Sequence, residues 1–139
     1  MTYRFVDTVP TVEEHGALAI SVGWHGDFHW ESVPASLAGS LCGVVAYDGE
    51  EQPVAMGRVV GDGAFYFYLQ DVAVHPDHQR QGLGSQVIRR LRDQIEAMAG
   101  ADCFVGLFAT PDGQTLYARE GFVAENTVGM WQVLRPGKE

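Results

Sequence analysis

Asp71-Val72-Ala73-Val74-His75-Pro76-Asp77-His78-Gln79-Arg80-Gln81-Gly82-Leu83-Gly84-Ser85 is an apolar strand that meets a proline, then a polar and cationic loop, then two glycines that open a helix. That order builds an anion cradle. Glycine lets the backbone approach a ligand closely, and the first N–H groups of a helix have no partner within it. They point outward at the positive end of the helix dipole, where phosphate oxygens fit.

The rest of the chain limits what such a loop can serve. Its 139 residues suit one domain over 1–139, and a hydrophobic share of 46% supplies a core without staples. No apolar run reaches the ~18 residues needed to cross a bilayer, and Met1-Thr2-Tyr3-Arg4-Phe5 lacks the pattern of a secretory signal. Cys42 and Cys103 lie in apolar runs and read as free thiols of a reducing cytoplasm. The net charge of −9 argues against nonspecific nucleic-acid binding. Arg80 is placed to help hold an anion, whereas Arg89, Arg90 and Arg92 read as the wet face of a helix.

Outward from the loop, the pattern predicts a short strand at Tyr3–Val6, a helix from Thr11 to about Val22, and a short helix over Pro34–Ser40. Leu41–Tyr47, Val54–Val60 and Ala64–Val74 read as three consecutive antiparallel strands, with Asp48-Gly49 as a hairpin signal. Leu83, Val87, Ile88, Leu91, Ile95 and Met98 share one face of the helix that follows, with Gly100 as its stop. Asp102–Phe108 is a strand parallel to Ala64–Val74, because a helix separates the two. A short helix over Asp112–Arg119 and a final strand at Val128–Leu134 complete the chain.

A dinucleotide fingerprint would need a small residue where Val87 stands, and a nucleotide P-loop needs a lysine, yet the only one is Lys138. What remains is Gln/Arg-x-x-Gly-x-Gly/Ala between a strand and an amphipathic helix, here Gln79-Arg80-Gln81-Gly82-Leu83-Gly84. This resembles the GNAT superfamily of acetyl-CoA-dependent N-acetyltransferases. Val72-Ala73-Val74-His75-Pro76 resembles the family's core strand and its exit, and Leu116-Tyr117-Ala118-Arg119-Glu120-Gly121-Phe122 resembles its later Leu-Tyr-x-x-x-Gly-Phe motif. The order of elements matches over nearly the whole chain. The resemblance implies an α/β (α+β) fold. Its sheet is mixed, mostly antiparallel, with six to seven strands and a splayed central parallel pair, flanked by about four helices.

The resemblance also implies a site. Backbone N–H groups of Gln79, Arg80, Gln81, Gly82, Leu83, Gly84 and Ser85 would hold the diphosphate of acetyl-CoA. The pantetheine arm would bond to the core strand at Val72, Ala73 and Val74, in the gap opposite Phe104–Leu107. Where members often carry a cofactor-binding Asn, this chain has Thr110, and that contact is not carried over. Tyr117 would protonate the departing thiolate, and the N–H of Val72 or Val74 would meet the developing oxyanion. Asp71 is the candidate base, with a structural role as the equal alternative. His75 reads as a turn residue.

Trp24-His25-Gly26-Asp27-Phe28-His29-Trp30-Glu31 lies where the family builds its acceptor pocket. Trp24 and Trp30 as walls, with Asp27 and Glu31 as anions, would suit a cationic or aromatic amine. Read singly, each also fits a surface loop anchored by its tryptophans. His25 and His29 have the spacing of metal ligands, but the surrounding motif is absent and no metal is expected. The expected activity is acetyl transfer to a small-molecule primary amine in a ternary complex, with no nucleic-acid or membrane partner. A homodimer, a non-catalytic acetyl-CoA sensor and a protein-lysine acetyltransferase stay open.

Overall fold

Five strands lie side by side in chain order: β1 (Arg4–Val6), β2 (Cys42–Tyr47), β3 (Pro53–Gly61), β4 (Tyr66–Val74) and β5 (Phe104–Gly106). The first four pair antiparallel, and β4 pairs parallel with β5. The structure is a computed structural model that describes residues 2–137. It divides into two compact units, one ending at Leu107 and the other beginning at Phe108. The sheet and three of the helices belong to the first.

Helix α1 (Val12–Ser21) starts where Thr11 and Glu14 cap each other: Glu14 N donates to Thr11 Oγ1 at 3.1 Å and Thr11 N to Glu14 Oε1 at 2.9 Å. Two single 3-10 turns, His25–Asp27 and Trp30–Ser32, lead into α2 (Val33–Ala38). Helix α3 (Leu83–Ala99) stops at Gly100, whose φ of 69° is left-handed and whose N–H returns to Glu96 O. Its buried face is Leu83, Val87, Ile88, Leu91 and Ile95. Met98, predicted on that face, is 38% exposed, so the stripe ends before the helix does.

Strand alternation places the helices on opposite faces of the sheet. Met56 and Ala73 form a buried cluster with Leu18 of α1, and Val22 and Trp24 pack against it. The neighbour of Met56, Gly57, faces α3: a Cβ there would lie 2.8 Å from Val87 Cγ1 and 3.0 Å from Leu91 Cδ1. Only glycine lets the helix come this close. Opposite Gly57, the pairing slips. Met56 faces Ala73 and Arg58 faces Gln70, so Asp71 and Val72 both fall against Gly57. This β-bulge gives Asp71 a left-handed φ of 55°, a strain on the order of 1–3 kcal/mol that the surrounding contacts must offset.

The predicted parallel pair is β4 and β5. Their pairing runs from Tyr66 and Phe104 to Tyr68 and Gly106 and stops, while β4 continues to Val74. The strand count corrects the expectation: five strands stand among the described residues, not six to seven. Val128–Leu134 is not a strand, although it is rich in apolar residues. Val128 and Trp131 are 84% and 78% exposed. Apolar content makes a segment competent to pair, and only a partner edge in register makes it a strand.

Candidate active site

The cradle begins where β4 ends. Pro76–His78 makes a single turn in which His75 Nδ1 accepts from Asp77 N at 3.1 Å. His75 is therefore engaged in shaping the turn. Gln79 Nε2 donates back to Val74 O at 3.1 Å and ties the loop to the strand. Arg80 and Gly82 then take left-handed φ values of 64° and 78°. The left-handed Gly82 followed by right-handed Leu83 at the start of α3 is a pairing that turns successive N–H groups toward one side, as in an anion nest. Gly82 caps α3 without any side-chain hydrogen bond, and a Cβ on it would meet nothing within 4 Å. Leu83 and Gly84 are buried beneath, while Arg80, Gln81 and Gly82 are exposed. Arg90 takes no part in the cradle, because it pairs with Asp7 at 3.0 Å and lies over the Phe5 ring.

The bulge carries the second half of the site. Asp71 shares a sheet face with Met56, Arg58 and Ala73, so its carboxylate points toward α1. Asp71 Oδ2 accepts from His15 Nε2 at 3.0 Å and from Arg58 Nε at 2.8 Å. Burial alone would raise the Asp71 carboxyl. Hydrogen bonds from His15 and Arg58, with the Arg58 charge, outweigh it and hold the group below the usual carboxylate range. Arg58 is held in turn by Ser36 O, Ser36 Oγ and Ser40 Oγ at 3.0–3.2 Å. His15 is only 1% exposed, and its Nδ1 has no hydrogen-bond partner among the described residues.

His15 and Arg58 also line a pocket of about 160 Å³, with Asp27, Phe28, Val33 and Leu37 among its other walls. Of the predicted acceptor residues, Asp27 lines it. Trp30 stands behind, 5.3 Å from Phe28 and 6.4 Å from His15 between ring centroids, with its Nε1 bound to His25 O. Trp24 packs against the Leu18–Met56–Ala73 cluster and ring to ring with Phe28. It therefore anchors the segment. Glu31 is exposed and does not line the pocket.

Tyr117 belongs to the second unit, on α4 (Gln114–Arg119). The spacing of its motif has a local cause. Gly121 takes a φ of 93°, the chain reverses, and Phe122 meets the Tyr117 ring edge-on at 5.9 Å while its N–H bonds Tyr117 O. Burial pushes the Tyr117 phenol up, so it keeps its proton at neutral pH. Thr110 caps the single turn Pro111–Gly113 that precedes α4.

His15 and Arg58 were not singled out by sequence reasoning, although both left a signal. His15 precedes Leu18 and Ala19 on the apolar stripe of α1, and Arg58 interrupts the apolar strand Val54–Val60. A charged or titratable residue in a buried run needs a partner.

A family model described as an acetyltransferase (GNAT) domain matches residues 39–124. GCN5-related N-acetyltransferase 1, chloroplastic, from Arabidopsis thaliana is 35% identical over 81 residues, which is 58% of this chain and 40% of that protein. The matches span less than half the length of the curated relatives. Among solved structures, a Staphylococcus aureus protein of unknown function, described as a probable acetyltransferase, superposes with a TM-score of 0.85 at 28% identity, covering 96% of this chain and 100% of that one. A GNAT-family acetyltransferase from Streptococcus pneumoniae TIGR4 gives 0.81 at 26% identity, covering 96% and 99%. Among the described residues, no helix is long and apolar enough to cross a membrane.

Proposed function

The chain belongs to the GNAT acetyltransferase family, and from that premise we propose that it moves the acetyl group of acetyl-CoA to a primary amine borne on a small, ring-sized apolar group. The observation that carries the donor half is the left-handed backbone at Arg80 and Gly82, leading straight into the start of α3, which no side chain caps. Amide donors from Gln79 to Ser85 neutralise a diphosphate there without a cluster of cations. The β4 backbone at Val72–Val74, past the last pairing with β5, takes the pantetheine arm as an added strand.

The acceptor half rests on the pocket that His15 and Arg58 line. Its volume of about 160 Å³ is close to that of cavities which take one benzene ring, ~150 Å³. Phe28, Val33 and Leu37 supply apolar wall and Asp27 supplies a carboxylate for an ammonium group. The amine nitrogen attacks the thioester carbonyl carbon, a C–N bond forms and the C–S bond breaks. The N–H of Val72 or Val74 meets the oxyanion, and Tyr117 donates to the departing sulfur.

Two measurements test the reading. Calorimetry should show acetyl-CoA binding, and CoA release should rise on adding benzylamine beyond the rise given by linear polyamines, amino sugars or amino acids. Absence of binding would remove the donor half. Binding without turnover on any amine or on polypeptide would leave a sensor. Label transfer to protein lysines in preference to benzylamine would make polypeptide the acceptor.

A further inference from the structure

We propose that His15 accepts the proton of the incoming ammonium at Nδ1, with Asp71 as the positioning residue that holds the imidazole for it. The proposal rests on the acetyl-transfer reading above and assigns the proton that reading leaves without a destination. An amine that arrives as a cation has no lone pair for attack, so a base must act first.

Three observations converge on His15. First, a carboxylate only accepts, so the 3.0 Å contact with Asp71 Oδ2 requires that His15 Nε2 carry its hydrogen. The neutral ring therefore has its lone pair on Nδ1. Second, Nδ1 is buried and has no hydrogen-bond partner among the described residues. A buried polar atom left unpaired costs stability, and an incoming N–H donor would satisfy it. Third, the ring lines the pocket that holds Asp27, and Phe28 packs edge-on against it at 5.0 Å. An amine nitrogen seated in that pocket stands beside the His15 ring.

Asp71 fits the supporting role better than that of proton acceptor. It already receives N–H groups from His15 and Arg58, and both favour its charged form. Once Nδ1 takes the proton, the imidazolium still donates through Nε2 to Asp71, and the carboxylate stabilises the new charge. The proton balance closes. The first ammonium proton goes to His15 and then to solvent. A second leaves the nitrogen after attack, and the thiolate gains one, so an ammonium and an acetyl thioester become an amide, a thiol and one released proton.

The test compares two acceptors of nearly the same shape. Benzylamine is an ammonium at neutral pH, whereas phenylhydrazine is largely unprotonated and needs no base before attack. His15→Gln keeps an N–H for Asp71 and removes the ring lone pair. The expected result is that the ratio of kcat/KM for benzylamine to that for phenylhydrazine falls about 100-fold, while calorimetry shows the wild-type Kd for acetyl-CoA. Equal loss on both amines, or an unchanged ratio, overturns the proposal. Should His15→Gln not fold, Asp71→Asn, whose amide oxygen still accepts from His15, should lower the same ratio, and an unchanged ratio there overturns it equally. Wild-type protein that binds acetyl-CoA but acetylates neither amine also overturns it. Failure to bind acetyl-CoA strikes instead at the reading beneath.

Discussion

Arg58 Nε donates to Asp71 Oδ2 across 2.8 Å, joining adjacent strands beside the bulge that gives Asp71 its left-handed backbone. Both side chains are nearly withdrawn from solvent, at 9% and 11% exposure. Removing the cation alone would leave a buried carboxylate with only His15 to meet it. Arg58→Met should therefore destabilise the protein by about 3–5 kcal/mol, read as a lower urea midpoint. The double variant Arg58→Met/Asp71→Asn should recover part of that loss, because no unpaired charge remains.

Asp71 also gives stability a pH dependence of known sign. Its carboxyl is held below the usual range in the folded chain. The stabilisation is therefore complete above the unfolded value of ~3.9 and is lost as pH falls through the lower, folded value. Urea melts across the acid range should show a steeper decline for the wild type than for Asp71→Asn. Parallel curves would mean that Asp71 is not held in this way.

Tyr117→Phe should lower kcat about 100-fold where chemistry limits the rate, with little change in acetyl-CoA affinity. Burial has raised the phenol, so the proton it would donate is present below the ordinary tyrosine pKa of ~10 and is lost only as pH rises through the higher folded value. An alkaline limb in the wild-type rate that the Phe variant lacks would identify that proton. Unchanged turnover would reduce Tyr117 to packing against Phe122.

Gly82→Trp should abolish acetyl-CoA binding while the fold persists. The left-handed φ of 78° makes any side chain there strained by roughly 1–2 kcal/mol. Gly82→Ala carries the same strain without the bulk and serves as the control. Retained affinity in the Trp variant would place the diphosphate elsewhere.

Gly57→Val should weaken the fold by about 1–3 kcal/mol through overpacking, because Val87 and Leu91 already occupy the space its side chain would need. Thermal melts would show it.

The backbone of the Gln79–Ser85 loop was legible because its determinants are local. Proline, glycine and a helical stripe within one stretch dictate backbone shape, and the structure follows them at Arg80, Gly82 and Leu83–Ala99. The β4–β5 pair was legible because a helix lies between those strands in the chain. The last predicted strand failed because apolar content at Val128–Leu134 says nothing about a partner edge. His15 was hidden for a related reason. Its meaning comes from Asp71, which lies far along the chain and turns toward it at a bulge opposite Gly57.

The contact between α3 and Gly57 has a mechanical meaning. One helix begins at the loop proposed to hold the diphosphate and, one turn further on, rests Val87 against the very bend that aims Asp71 and Val72. On that proposal it would work as a gauge block between the two ends of a long donor, setting how far a thioester carbon stands from its nucleotide tail. A shortened donor such as S-acetylpantetheine, with nothing to seat in the nest, should then lose turnover at saturation as well as affinity.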